Sequence, residues 1–428
     1  MVTVGSVMYQ LCKELWPITR SITGDGVRET LSILQRELPD LKIYAVESGT
    51  NVFDWQVPNE WNISDAYIED EQGQRIIDFK ENNLHVVGYS IPVDKWVGLE
   101  ELEMHLYSLP EQPDAIPYVT SYYKERWGFC ITHAMRQQLR EQKYHVVIKS
   151  VLKPGVLNYA ELIIPGKKSQ EVLISTYVCH PSMANNELSG PVVVTQLAKY
   201  IQDNKNRNYT YRMVFIPETI GSITYLSKNG EHLKKNVIAG FNVSCVGDDR
   251  CYSYLPSRKG DTLSDRVAIA ALNSIDRNFK RYTWLSRGSD ERQYCAPGID
   301  LPIATIMRSK YGEYPEYHTS LDDLINVVTP DGLNGGFNAL KMALDIIETN
   351  AYPKIEVFCE PQLGKRDLYP TLSTKESGAK VRAMMNLITY SDGSKSLLEI
   401  SELIGEDYFS LLGIVKKLVD AEVMSVVM

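Results

Sequence analysis

Between Tyr118 and about residue 352, apolar runs of strand length alternate with helical stretches. "YHVVIKSV", "NYAELIIP", "EVLISTYVC", "YRMVFIP", "VIAGFNVSCV" and "LPIATIMR" are nearly continuous in Val, Ile, Leu and aromatic residues. Strands covered on both faces of a sheet have that texture. Helices are predicted after Thr132, Ser189, Ile220 and Asp261, with a long one beginning near Asp331. Strand–helix alternation of this kind predicts an α/β domain, a sheet flanked by helices. The first 45 residues read as helices, with Asp25-Gly26 capping a segment that places Val27, Leu31, Leu34 and Leu38 on one face.

Two regions break the pattern. From 48 to 115 the runs are short and alternating, as in "DAYIEDEQGQRIIDF" and "NLHVVGYSIPV", which predicts a small β-rich insert. After Tyr352 a polar connector, "EPQLGKRDLYPTLSTKESG", leads to residues 379–428. There a helix, an "SDGSKS" turn, a helix, a turn at Gly405, a third helix and a terminal strand make a winged-helix pattern with almost no wing. The expected domains are therefore 1–47 with 116–354, the insert 48–115, and the winged-helix-like unit 379–428.

Composition narrows the function classes. The chain has 428 residues, 44% hydrophobic and 23% charged, enough for a full core. A net charge of −9 argues against nonspecific nucleic-acid binding and against attraction to anionic membranes. No stretch reaches the roughly 18 apolar residues that a membrane span needs. The N-terminus lacks the basic and apolar regions of a signal peptide, and seven cysteines without CxxC spacing fit a reduced, cytoplasmic chain. Residues 396–428 carry six acidic residues and two lysines, so a DNA-reading role is not expected there. The unit instead carries surplus apolar side chains, including Tyr408, Phe409 and Leu412. It is expected to dock on the α/β domain or on a second copy of the chain, a homodimer.

Candidate chemistry sits just after the predicted strands, where open α/β sheets bind ligands. The segments are "HPSMANNELSG" from His180, "PETIGS" at 217–222, "VGDD" at 246–249 and "YHTSLDD" at 317–323. Two of only seven histidines fall in these loops, with Glu218 in a third, which points to a metal. Cys179 has no oriented base beside it in the sequence and reads as a buried strand-end thiol.

Taken in order, these segments resemble the co-catalytic zinc aminopeptidase superfamily, peptidase clan MH, over roughly residues 1–45 and 116–352. "NNELSG" is similar to Asp-Asn-Ala-Ser-Gly, "YHTSLDD" to Tyr-His-Thr-x-x-Asp, "PETIGS" to a Glu-Glu segment before Gly-Ser, and "FNVSCVG" to Asn-x-Asp-Met-x-Gly. With its insert and winged helix the chain resembles an aminopeptidase-domain subgroup associated with polysaccharide biosynthesis. The resemblance implies a zinc-aminopeptidase-like mixed sheet. It implies metal positions at His180, Asn186, Glu218 and His318, Asn186 standing where a bridging aspartate belongs. Ser244 and Ser182 replace two further carboxylates, and Pro217 replaces one glutamate of the pair.

Those replacements have a physical cost. Two zinc ions about 3.5–4 Å apart repel by roughly 18 kcal/mol at an effective dielectric of 20. Neutral Asn186 does not offset that, unless Glu187, Asp248, Asp249 or Asp290 supplies the charge. One zinc on His180, Glu218 and His318, with water in the fourth position, is the expected cofactor. Glu218 is then ligand or general base, and Asp290 or Glu291 in "GSDERQY" is the next candidate base, if that segment is not simply a capped helix start. Arg287, Tyr311, Glu313 and Tyr314 are expected to line a substrate pocket, with the insert over or beside the cleft. The expected activity is zinc-dependent hydrolysis of a peptide or amino-sugar amide; the alternative is a catalytically degenerate scaffold of the same fold that binds a ligand or partner.

Overall fold

The computed structural model describes residues 3–368 and 375–427. Its centre is an eight-stranded mixed sheet in the order Lys42–Glu47, Val156–Ile164, Thr210–Ile216, Glu171–Tyr177, Val237–Asn242, Ile303–Met307, Ser253–Leu255, Lys280–Arg281. The four strands from Thr210–Ile216 to Ile303–Met307 run parallel. Val156–Ile164 and Ser253–Leu255 flank them antiparallel. Every residue of Glu171–Tyr177 is buried, as expected of a strand covered on both faces.

The strand period of two divides this sheet into two cores. Val172, Ile174, Met213 and Phe215 face a layer that includes the helices Val4–Leu15, Asp25–Glu37, Ser189–Asp203, Leu263–Ile275 and Pro330–Thr349. Leu173, Tyr177, Val214 and Ile216 face the opposite layer, built on the helix Ile220–Asn236.

Three local expectations are corrected. Lys42–Glu47 is an edge strand paired with Val156–Ile164, not part of a helical leader. The helix at 25 begins at Asp25 itself, with Gly24 in the cap position at φ 97° and no side-chain cap. Lys143–Lys153 is not in the large sheet; it pairs with Glu60–Glu69 and Val93–Gly98 in a separate four-stranded antiparallel sheet. It is one of the two interior strands of that smaller sheet, buries Tyr144, Val146 and Ile148, and so has the apolar texture of any central strand.

The helices Lys375–Tyr390, Leu397–Ile404 and Tyr408–Asp420 are followed by Met424–Val427, which pairs antiparallel with Tyr352–Ile355. Leu387, Leu398, Tyr408, Leu411 and Leu418 belong to the same apolar core as the Pro330–Thr349 helix. Arg266 pairs with Glu402 at 2.6 Å, and the Tyr408 and Thr349 hydroxyls lie 3.0 Å apart. The unit docks on the chain's own α/β domain, one of the two surfaces expected. Among the described residues no helix is long and apolar enough to cross a membrane.

Candidate active site

The loops that follow the parallel strands converge at the carboxyl edge of the sheet. Ser182, Thr219, Cys245 and His318, in or beside the four chemistry-bearing segments, all have positive φ, 27°, 64°, 54° and 56°. Non-glycine residues are held there at a cost of about 1–3 kcal/mol each, and such strain gathers at functional sites. The turn from Ala184 to Leu188 is a wide helical turn, fully buried.

His180 is buried, and its two ring nitrogens have different neighbours. Nδ1 lies 3.0 Å from Glu187 Oε2, and Nε2 lies 3.7 Å from Glu218 Oε2. Burial works to lower the His180 pKa, but the hydrogen bond and charge of Glu187 outweigh it and leave it raised. Arg20, itself buried, sits behind the pair: Nε is 3.3 Å from Glu187 Oε1 and donates to the His180 carbonyl at 2.8 Å. A carboxylate on Nδ1 fixes the imidazole and directs Nε2 outward, as second-shell carboxylates do for metal-binding histidines. Glu187 thus does for His180 what Ser182 cannot; the Ser182 hydroxyl donates to the Trp16 carbonyl instead.

Outward from His180 is a cavity of about 330 Å³ with His180, Glu218 and His318 in its lining. The two imidazole centroids are 5.6 Å apart, and the Tyr118 ring stands 5.1 Å from one and 5.2 Å from the other. Burial, aided by nearby His180, pushes the His318 pKa down to about 3, so the ring is neutral with a lone pair to offer. Burial raises the Glu218 pKa, against the opposing pull of His180. Trp55 from the inserted region and Tyr122 and Tyr123 complete the aromatic wall. The insert therefore stands beside the cleft.

Among the described residues, the trio whose ligand atoms lie within 4.8 Å of one another is Cys179, His180 and Glu187. His318 does not join His180 and Glu218 at that spacing, so its ring must approach for all three to share an ion. Cys179 is a buried thiol, its pKa pushed well up by that burial, with Sγ accepting from the Glu218 amide at 3.2 Å.

Asn186 is buried at the bridging position. Its Oδ1 accepts from the Tyr177 hydroxyl at 2.8 Å, and its Nδ2 has no partner. Asp322, the first Asp of "YHTSLDD" after the leucine, holds this turn by accepting from the Asn185 and Asn186 amides at 2.7 and 2.9 Å. Three of the acids offered as replacements are committed elsewhere. Glu187 is taken by His180 and Arg20, Asp248 by Asn185, Ser309 and the Arg250 amide, and Asp249 by Thr329.

Asp290 remains. It is fully buried; Oδ1 accepts from the Thr219 amide at 2.8 Å and the Ser222 hydroxyl at 2.7 Å, while Oδ2 has no partner. Burial, then the charge of Glu218, pushes its pKa up to about 7. Glu291 is differently placed. Its Oε1 accepts from the Gly288 and Ser289 amides and the Tyr311 hydroxyl, and Oε2 from Asn242. Both oxygens are satisfied away from the cavity.

The residues expected to line the pocket stand outside its wall. Tyr311 and Tyr314 turn inward into a small apolar cluster, their hydroxyls donating to Glu291 and Asp322. Glu313 is half-exposed, 3.9 Å from Lys310, and Arg287 lies over Trp284. Residues the sequence reading did not single out take those places: Trp55, Tyr118, Tyr122 and Arg292 line the cavity, and Arg20 braces it from behind. The tyrosine-dense "YVTSYY" was a visible signal; Arg20 had none.

Residues 9–350 match the family described as a domain of unknown function, DUF4910. The chain belongs to that family. Residues 350–426, after the DUF4910 domain, match a winged helix-turn-helix, HTH_47. A Clostridium acetobutylicum protein described as a "Putative polysaccharide biosynthesis protein with aminopeptidase-like domain" is 44% identical over 406 residues, 94% of this chain and 92% of that protein. A crystal structure described as a "putative peptidase" from Clostridium acetobutylicum superposes with a TM-score of 0.92 at 42% identity, covering 99% of this chain and 96% of that one. A zinc aminopeptidase from Bacillus subtilis is 12% identical with a TM-score of 0.60, over 80% of this chain and 93% of that one, which makes the fold of the DUF4910 domain aminopeptidase-like.

Proposed function

We propose that the protein is a metal-dependent amide hydrolase of aminopeptidase type, working with one zinc ion rather than two. The observation that carries this is the meeting of His180, Glu218 and His318 at one cavity, with Glu187 behind His180 to orient it. The donor chemistry fits one ion: a neutral imidazole, an imidazole whose Nδ1 is already engaged, and a carboxylate. It fits two less well, because Asn186 brings no charge, Glu187, Asp248 and Asp249 are spoken for, and Asp290, with its pKa pushed up to about 7, is only partly charged near neutral pH. His180, Glu218 and His318 would hold the ion, which when bound would supply Lewis acidity for a substrate carbonyl and for activating water.

The chain's own groups divide the remaining work. Glu187 and Arg20 keep Nε2 of His180 facing the cavity. Asp290, beside Glu218 and with Oδ2 unpartnered, is the group placed to hold a proton near neutral pH. The aromatic wall limits the substrate to a small amide, a peptide or an amino-sugar derivative; the latter accords with the description of the Clostridium relative. The acidic winged helix, docked on the α/β domain, is read as a structural unit and not a nucleic-acid reader.

The test is metal content by mass spectrometry after purification without chelators, alongside amide hydrolysis. About one zinc per chain, lost together with activity in His180→Ala, is the expected result. A chain that binds no zinc and is inert would instead be the degenerate scaffold.

A further inference from the structure

Arg292 differs from the arginines of this protein that are held in ion pairs. Arg28, Arg36, Arg75, Arg136, Arg212, Arg250, Arg258 and Arg266 each pair with a carboxylate. Arg292 lines the cavity beside His180, Glu218 and His318, and no carboxylate lies within ion-pair distance of it among the described residues. Its one hydrogen bond in the structure is to a neutral oxygen, Nη2 donating to Thr219 Oγ1 at 2.7 Å. Thr219 is itself fixed by its backbone N–H, which donates to buried Asp290 Oδ1 at 2.8 Å. The guanidinium is thus held at the cavity wall with donors to spare.

Resting on the amide-hydrolase reading, we propose that Arg292 is a specificity residue for a substrate carboxylate, and that the substrate is a small amide carrying one such acid group. A guanidinium binds a carboxylate with two parallel hydrogen bonds, the strongest polar contact available to it. Charge selects a carboxylate over a phosphate. Arg292 is the one arginine or lysine among the described lining residues, and the proposed zinc would be committed to the scissile amide, which leaves a single charge-matched partner for a monoanionic carboxylate. Size points the same way. At about 330 Å³ the cavity is at the small end for ligand sites and suits a dipeptide-sized molecule, not a long chain.

The experiment compares alanyl-alanine with alanyl-alaninamide, which differ only in the terminal acid, by calorimetric binding to the full chain and by turnover. The acid is expected to bind about 10- to 100-fold more tightly than the amide, the range for a hydrogen bond to a charged group. In Arg292→Gln that ratio falls toward one, and in Arg292→Lys part of it returns. Equal binding of acid and amide by the parent, or a ratio that survives in Arg292→Gln, overturns the proposal. Inorganic phosphate displacing the acid at matching concentration overturns the choice of carboxylate. If both probes bind with the expected ratio yet neither is cleaved in the zinc-loaded protein, the hydrolase reading fails while the assignment of Arg292 stands.

Discussion

Replacing Arg20 by methionine should be among the most destabilising single changes in the protein. The side chains of Arg20 and Glu187 are 0% and 1% exposed, with Nε and Oε1 3.3 Å apart. At an effective dielectric of 20, opposite charges at that separation attract by about 5 kcal/mol. Methionine fills similar space but leaves Glu187 a buried carboxylate with only His180 to answer it. Removing one member of a buried pair costs about 3–5 kcal/mol. The carbonyls of His180 and Leu15, which accept from Arg20 at 2.8 and 2.7 Å, lose their donor as well. Glu187→Gln keeps a hydrogen-bonding group but strands the guanidinium, and should cost a comparable amount. The decisive measurement is the double variant. With neither charge left to strand, Arg20→Met/Glu187→Gln should be less destabilised than the two single losses added together, by about 2 kcal/mol or more. Urea unfolding followed by circular dichroism, with chelator present so that metal occupancy does not differ, gives all four stabilities. Single losses under about 1 kcal/mol, or additivity within about 0.5 kcal/mol, would show that the pair is not electrostatically coupled.

Other outcomes follow from other parts of the structure. His318→Ala should lose bound zinc while Cys179→Ser retains it; the reverse pattern would move the ion into the buried Cys179–His180–Glu187 trio. Asn186→Asp should raise zinc stoichiometry above one per chain, and an unchanged value would mean that the bridging charge is not what limits it. His145 lies 2.8 Å from Glu69 and 2.7 Å from Asp94, contacts that raise its pKa above 6.5. A raised histidine contributes stability in full below its unfolded pKa and loses it as pH climbs through the folded value. The advantage of the parent over His145→Ala should therefore shrink in thermal melts as pH rises above the unfolded value of about 6.5, and an advantage that grows would refute the sign. Leu411→Ala, in the core shared by the two domains, should lower the stability read from one common unfolding transition by about 2–5 kcal/mol, whereas a separate early transition would mean the winged helix melts alone.

The sequence made the parallel strands legible because a strand covered on both faces is rich in apolar residues; Ile303–Met307, all buried with Thr305 its one polar residue, is an example. The same texture misplaced Lys143–Lys153, since an apolar run reports interior position but not which sheet it is interior to. Lys42–Glu47 was illegible for the opposite reason: as an edge strand it is largely exposed and has no such run. At the site, His180, Glu218 and His318 stood out because histidines are scarce here and fall at strand ends. Arg20 did not, because its partners are its neighbours only after folding, 160 positions away at His180. The pocket-lining assignment of Tyr311 and Tyr314 went astray because aromatic residues near a site serve equally well as packing beneath it.

The pairing of Tyr352–Ile355 with Met424–Val427 bears on how the molecule is made in a cell. The long helix Pro330–Thr349 packs one flank on the large sheet's core and shares that core with Leu411 and Leu418. A ribosome has therefore to translate as far as residue 427 before the strand at 352 finds its neighbour and the helix before it is covered. Domains usually fold as units, the earlier one first, as the chain emerges. Here the larger unit emerges with an apolar face still open, and that face stays uncovered until the last helix arrives.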